Sequence, residues 1–180
     1  MIRLTISEIL EKYASGERDF KYSNLSSMDL SGIDLFQANL EGANLQESNL
    51  QGCNLEEANL YKTNLSRTNL YKANVYNANL IHSNLIQADL KDAHFPKTKL
   101  SHACLNLANL DHTDLSGAYF NKTLVNQAYF FKVDLTNAWL IEVDLTTIDL
   151  TQIYYNKQTS FNSCPGIKYL PKLDYKRISH

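Results

Sequence analysis

The side chains of this 180-residue chain that could do chemistry are five histidines, three cysteines and a scatter of serines and carboxylates. His82 and His102 stand twenty residues apart. Two imidazoles hold a transition metal only with further ligands from Asp, Glu or Cys, and the sequence places none beside them. Cys53, Cys104 and Cys164 are odd in number and lack paired spacing. They read as free thiols in a reducing compartment. Serine, histidine and aspartate occur without a nucleophile–base arrangement, and there is no phosphate loop or dinucleotide fingerprint. These absences point away from an enzyme and from any metal or cofactor. What remains is the chemistry of recognition. Tyr119, Leu124, Tyr129, Phe131, Trp139 and Ile141 are aromatic or aliphatic residues crowded into the second half of the chain. Tyrosine and tryptophan dominate the energetics of protein contact surfaces.

What positions these residues is a period of five. An apolar residue recurs at every fifth position from Phe20 through Tyr155, without a slip. Most are leucine; the others are Phe20, Val75, Phe95, Phe120, Val125, Phe130 and Tyr155. Two positions earlier stands a second inward residue, usually small (Ala38, Ala43, Ser48, Cys53, Ala58, Thr63). Between the two lies a column of Asn or Asp, unbroken from Asp19 to Asp89. A period of five fits neither the 3.6 of a helix nor the 2 of a strand. It calls for about three extended residues and then a corner. The central residue and the one two before it point inward, and the Asn or Asp between them points out. Stacked turns of such a chain pair through their backbones at roughly 4.8 Å. The axis is narrow, so an inward leucine demands a small partner.

The units Ala38-Asn39-Leu40, Ala43-Asn44-Leu45, Ala58-Asn59-Leu60 and Ala88-Asp89-Leu90 resemble the A(D/N)LXX signature of pentapeptide-repeat proteins. The resemblance covers about three quarters of the chain. It implies an all-β fold, a right-handed quadrilateral parallel β-helix with four pentapeptides per square coil and hence about seven coils here. The opening residues, Glu8-Ile9-Leu10 through Phe20, resemble those of several cyanobacterial members. Family membership of this kind implies a fold and little about role. Some members, of the quinolone-resistance type, resemble duplex DNA in shape and charge and bind type II topoisomerases.

Three segments follow. Residues 1–18 carry a short N-terminal helix over about 4–16, with Thr5-Ile6-Ser7-Glu8 at capping-box spacing, an apolar face of Ile6, Ile9, Leu10 and Tyr13, and Gly16 to end it. Residues 19–155 form the repeat. Residues 156–180, punctuated by Pro165-Gly166 and Pro171, leave the five-residue register and read as an irregular C-terminal cap. Its apolar residues include Phe161, Ile167, Leu170, Leu173, Tyr175 and Ile178, and its charge is basic. Bulk at the small positions of the first coil (Met28, Ile33) and the last (Val133, Val143, Ile148, Ile153) fits packing against such lids. At the corners, Gly32, Gly42, Gly52 and Gly117 sit where a type II turn needs positive φ. The remaining corners, lacking glycine, would use another turn. A filled shaft of this kind leaves no pocket.

The Asn/Asp column breaks only after residue 90, at His94, Lys99, Cys104, Tyr119, Leu124, Tyr129, Trp139 and Tyr154. Function is therefore sought in the late coils. The aromatic group there is covered by the chain's own tail, by a second copy of the chain in a homodimer, or by an unidentified protein partner. Net charge is −2, which gives no strong attraction to nucleic acid or membrane. One side (Asp34, Glu56, Glu57, Asp114, Asp134, countered by Lys97) is acidic; that suits solubility or reception of the basic tail better than DNA mimicry. With no signal peptide or membrane-spanning run in view, the expected location is the cytoplasm. The expected role is a non-enzymatic protein–protein interaction scaffold.

Overall fold

The computed structural model describes residues 3–170. The five-residue register becomes a stack of square coils. From Asp19 through Asp114, each outward position pairs in parallel with the position twenty residues on: Asp19 with Asn39, Asn39 with Asn59, Asn59 with Asn79, and so around all four sides. Two kinds of backbone bond repeat at every side. The central amide donates up the stack, as Leu60 N to Asn79 O at 2.8 Å, and the outward amide donates down it, as Asn79 N to Ala58 O at 3.0 Å. The pairing follows from the twenty-residue circumference, because every strand piece lies directly over its equivalent one coil earlier.

The leucines Leu40, Leu60, Leu80 and Leu100, all fully buried, fall in one file, and Ala38, Ala58, Ala78 and Ala118 are buried beside it. Buried hydroxyls at the small positions are all satisfied. Thr63 Oγ1 donates to Leu40 O at 2.7 Å and Ser48 Oγ to Leu45 O at 2.7 Å. Cys53 fills the same slot, its thiol directed to Leu30 O, and burial pushes that thiol up to about 11. It therefore stays protonated and acts as a small apolar side chain.

The asparagine column does two jobs at once. Each Oδ1 accepts the amide two residues on, closing the corner, and from Asn44 through Asn84 each Nδ2 donates to the Oδ1 one coil below. Asn64 Nδ2 reaches Asn44 Oδ1 at 3.1 Å, while Ser66 N reaches Asn64 Oδ1 at 3.2 Å. Aspartate can accept in this ladder but not donate, so Asn is favoured wherever a coil lies beneath. Asn64→Ala is expected to lower the denaturant midpoint by an amount equivalent to about 1–2 kcal/mol, since a half-buried amide loses partners on both sides.

The corners correct the sequence expectation. Glycine-free corners do not use a different turn. The residue two after the centre takes φ of 51–61° at Lys62, Arg67, Lys72, Leu107, Lys132 and their equivalents, the same left-handed region as Gly32 (68°) and Gly52 (63°). Closing a twenty-residue square fixes that conformation, and the coil's hydrogen bonds offset the 1–2 kcal/mol or so that an L residue gives up there. Two consecutive corners are exceptions. Thr147 and Gln152 are absent from this left-handed set, which resumes at Ser163.

At the N-terminal end, helix α1 spans Ile6–Ala14 with Thr5 as N-cap and a complete capping box to Glu8. Its packed face is narrower than the pattern suggested. Ile9 is buried in the same cluster as Phe20 and Leu25, and Tyr13 packs on that cluster and donates to Phe36 O, but Ile6 and Leu10 are exposed. Arg18 lies over the Tyr13 ring at 3.6 Å. At the other end, three short strands carry the ladder past residue 155. β1 (Tyr119–Asn121), β2 (Trp139–Ile141) and β3 (Ser160–Asn162) pair in parallel in that order. Trp139 pairs with Ser160, twenty-one residues on rather than twenty. One residue has been inserted, so the register ends at Tyr155 while the coil itself continues. Phe161 packs against the core and Cys164 is buried, its thiol aimed at Leu140 O. Of the tail's apolar residues, Leu173, Tyr175 and Ile178 lie outside the described residues.

Candidate interaction surface and late-coil seam

The structure places the six late apolar residues on three of the four sides. Tyr119 and Trp139 occupy the first, in β1 and β2, where parallel pairing sets one ring above the other. Their centroids are 6.4 Å apart and the planes 14° from parallel. Leu124 stands on the second side. Tyr129 occupies the third, stacked on Phe131 at 6.1 Å, and Phe131 in turn meets the edge of His112. Ile141 follows Leu140 at the corner after the first side and is half-buried. The first and third sides are opposite faces of a square, so the rings form two separate stacks, and a single flat partner touches one or the other. Segment 156–170 does not cover them: Trp139 remains 49% exposed, Tyr119 47%, and Leu124 and Tyr129 56% each.

His82 and His102 stack face to face at 4.8 Å, with the Tyr61 edge 5.8 Å from His82. Among the described residues no group of three or more His, Cys, Asp or Glu gathers where a metal could sit. On the acidic side Asp114 takes His94 Nδ1 at 2.9 Å, and Lys97 Nζ reaches the Tyr76 hydroxyl at 3.1 Å. Asp111 is held by Lys91 on one oxygen and His112 on the other, which keeps its carboxyl below the usual range. No described helix is long and apolar enough to cross a membrane.

Sequence reasoning missed a break in the wall. On the second and third sides, the coil of Thr123–Lys132 does not bond to the coil above it. The pairs expected from the repeat, Leu124 with Asp144 and Tyr129 with Asp149, are absent, although Cys104–Leu124 and Asn109–Tyr129 one coil below are present. Among the described residues, the amides of Val125, Phe130 and Lys132 find no carbonyl, nor do those of Asp144 and Asp149; Gln127 N takes the Thr147 hydroxyl instead. A cavity of 770 Å³ opens there, lined by Gln127, Tyr129, Phe131, Thr147, Asp149 and Gln152 among others. It adjoins a second of 370 Å³ reaching Leu124, Glu142 and Asp144 through the shared Thr147. The expectation of no pocket thus fails in the wall, while the interior stays filled. On the open sides the inward slots above the gap hold Val143 and Ile148, and Phe130 adds bulk beneath Leu150, although Met28, Ile33 and Val133 fill the same kind of slot in coils that stay paired. That bulk was visible in the sequence as the only signal.

The family model for pentapeptide repeats matches residues 38–75, 76–111 and 108–146, with 8 copies. It describes a structural repeat, and no catalytic family is indicated. No curated protein matches the chain. Among solved structures, HetL from Nostoc sp. strain PCC 7120, a pentapeptide repeat protein involved in heterocyst differentiation regulation, is 23% identical over 90% of this chain and 94% of its own, with a TM-score of 0.28. Rfr23 from Cyanothece 51142 is 20% identical over 88% of this chain and 100% of its own, at 0.43. Full-length QnrB1, a plasmid-mediated fluoroquinolone resistance protein, is 18% identical over 77% of this chain and 84% of its own, at 0.37.

Proposed function

Because this chain belongs to the pentapeptide-repeat family, whose members adopt a right-handed β-helix, we propose that it is a non-enzymatic interaction scaffold that presents a stiff late-coil surface to another protein in the cytoplasm. The rod has about seven coils, with α1 as the N-terminal cap and the segment after Tyr155 as the C-terminal one. The observation that carries the reading is the Tyr119–Trp139 stack. Two large rings stand half-exposed on a paired three-strand sheet, in a column that holds Asn59, Asn79 and Lys99 in the coils before them. Backbone pairing fixes them before any partner arrives, so little conformational entropy is lost on contact. The rings lie between Lys99 and Ser160 in the same column and keep about half of their surface exposed.

Trp139→Ala is the test. Truncating a central tryptophan is expected to weaken partner capture about thirtyfold or more, with the thermal unfolding midpoint little changed because the ring is half-exposed. Capture that persists unchanged in Trp139→Ala would remove the stack from the contact. Sedimentation of the wild-type chain separates the two occupants: a dimer dissociated by Trp139→Ala assigns the stack to a second copy. A DNA-mimic role at a type II topoisomerase is less favoured, since a net charge of −2 is spread over a rod whose acidic groups are in part paired with His94 and Lys91. It would show as inhibition of gyrase supercoiling, lost in Asp114→Asn with Asp134→Asn.

A further inference from the structure

We propose that the seam between residues 123–132 and 143–152 binds an extended, basic peptide segment of a partner protein, which pairs with the opened ladder of the third side, beyond the Gln127–Thr147 bond, as an added parallel strand. The inference rests on the scaffold reading and names a mode and a chemistry for it. From Asp19 through Asp114, every strand piece meets the next coil. Here the lower lip presents the amides of Val125, Phe130 and Lys132 and the carbonyls of Thr123 and Ala128, which the repeat would pair with Asp144, Asp149 and Thr151. The upper lip presents the amides of Asp144 and Asp149. An extended backbone supplies donors and acceptors along the third side and faces both of its lips. Small molecules lack that repeat, and a helix hides its own.

The lining fixes the sign of the occupant. Glu142, Asp144 and Asp149 line the two cavities, and neither contains Lys or Arg among its lining residues. Lys122 engages Glu142 at 3.5 Å. Among the described residues, Asp144 and Asp149 bond only within their own corners, Asp144 accepting from the hydroxyl and amide of Thr146 and Asp149 from the amide and hydroxyl of Thr151. Those bonds hold both carboxyls below the usual range, so both are charged at neutral pH. An incoming lysine or arginine meets them without displacing another cation. The Tyr129–Phe131 stack on the lower lip supplies an apolar wall for the alternate side chains.

The test uses the full chain and three fluorescein-labelled decapeptides: one alternating Val and Lys, one alternating Val and Glu, and the Val–Lys peptide with alternate amides N-methylated. The Val–Lys peptide should bind with slowed hydrogen exchange at Phe130 and Lys132. N-methylation and the Val–Glu exchange should each weaken binding about tenfold or more, and Asp144→Asn with Asp149→Asn should remove the preference for lysine. Equal binding by the N-methylated peptide overturns strand addition. Slow exchange at those amides before any peptide is added overturns an open seam. Trp139→Ala should leave peptide binding unchanged. Failure of the peptides while Trp139→Ala still abolishes partner capture sinks the seam and spares the scaffold.

Discussion

Leu80→Ala is expected to cost about 2–5 kcal/mol, read as a lowered midpoint in chemical denaturation. Leu80 is fully buried in a file with Leu60 below and Leu100 above. The walls beside it are held at a fixed spacing by Leu80 N to Lys99 O at 2.8 Å and Lys99 N to Ala78 O at 3.0 Å. A core that could collapse would recover part of the loss; a ladder at fixed rise cannot, so the effect belongs at the upper end. Each coil also contacts only its neighbours, and a cavity in the middle weakens two coil interfaces together. Leu107→Ala is the control. The same side chain at an outward corner is 48% exposed, and its truncation should change stability by about 0.5 kcal/mol or less. Similar losses at the two positions would mean that the leucines do not share one buried axis.

Gly166→Ala should detach the C-terminal segment from the shaft. Gly166 has φ of +93°, and a Cβ there would stand 2.7 Å from the Leu145 carbonyl carbon and 2.8 Å from Thr146 N. Those are backbone atoms that cannot rotate away. The Leu145 N to Pro165 O bond at 3.0 Å would be lost with the displacement. Strain of this kind costs about 1–3 kcal/mol before the overlap is counted. The expected readout is faster proteolysis after Tyr155 and faster exchange of the Leu145 amide, with Cys164, now 5% exposed, becoming reactive to thiol reagents. Gly32→Ala makes the comparison. Its φ is +68° but nothing lies within 4 Å of its added Cβ, so only the backbone preference of about 1 kcal/mol is at stake. Equal effects from the two alanines would show that the close approach at Leu145 does not hold the segment.

Both variants bear on how much of the molecule could be read from its residues. The leucine file and the Asn column were legible because each residue's direction depends only on its place in the five. The helix cap at Thr5 was legible because a capping box is closed by residues three apart. The corners were misjudged because a lysine or leucine in the left-handed region is locally unfavourable; only the closure of the whole coil puts Lys62 and Leu107 there. The coil beyond Tyr155 was hidden by one inserted residue, which shifts Phe161 and Cys164 out of phase while leaving them buried against the same axis.

By itself the sequence determined a slender parallel solenoid, its inward and outward residues, and the region where the outward column gives way to aromatic side chains. Those features repeat locally, so a period suffices to state them. The tertiary structure alone decided that the rings form two stacks on opposite sides, and that the late coils part along two of four sides. Val143, Ile148 and Ile153 could be absorbed by a lid or by separating the wall, and the choice depends on what lies above and below each of them. That is a matter of volume shared between coils twenty residues apart, which no single five-residue unit contains.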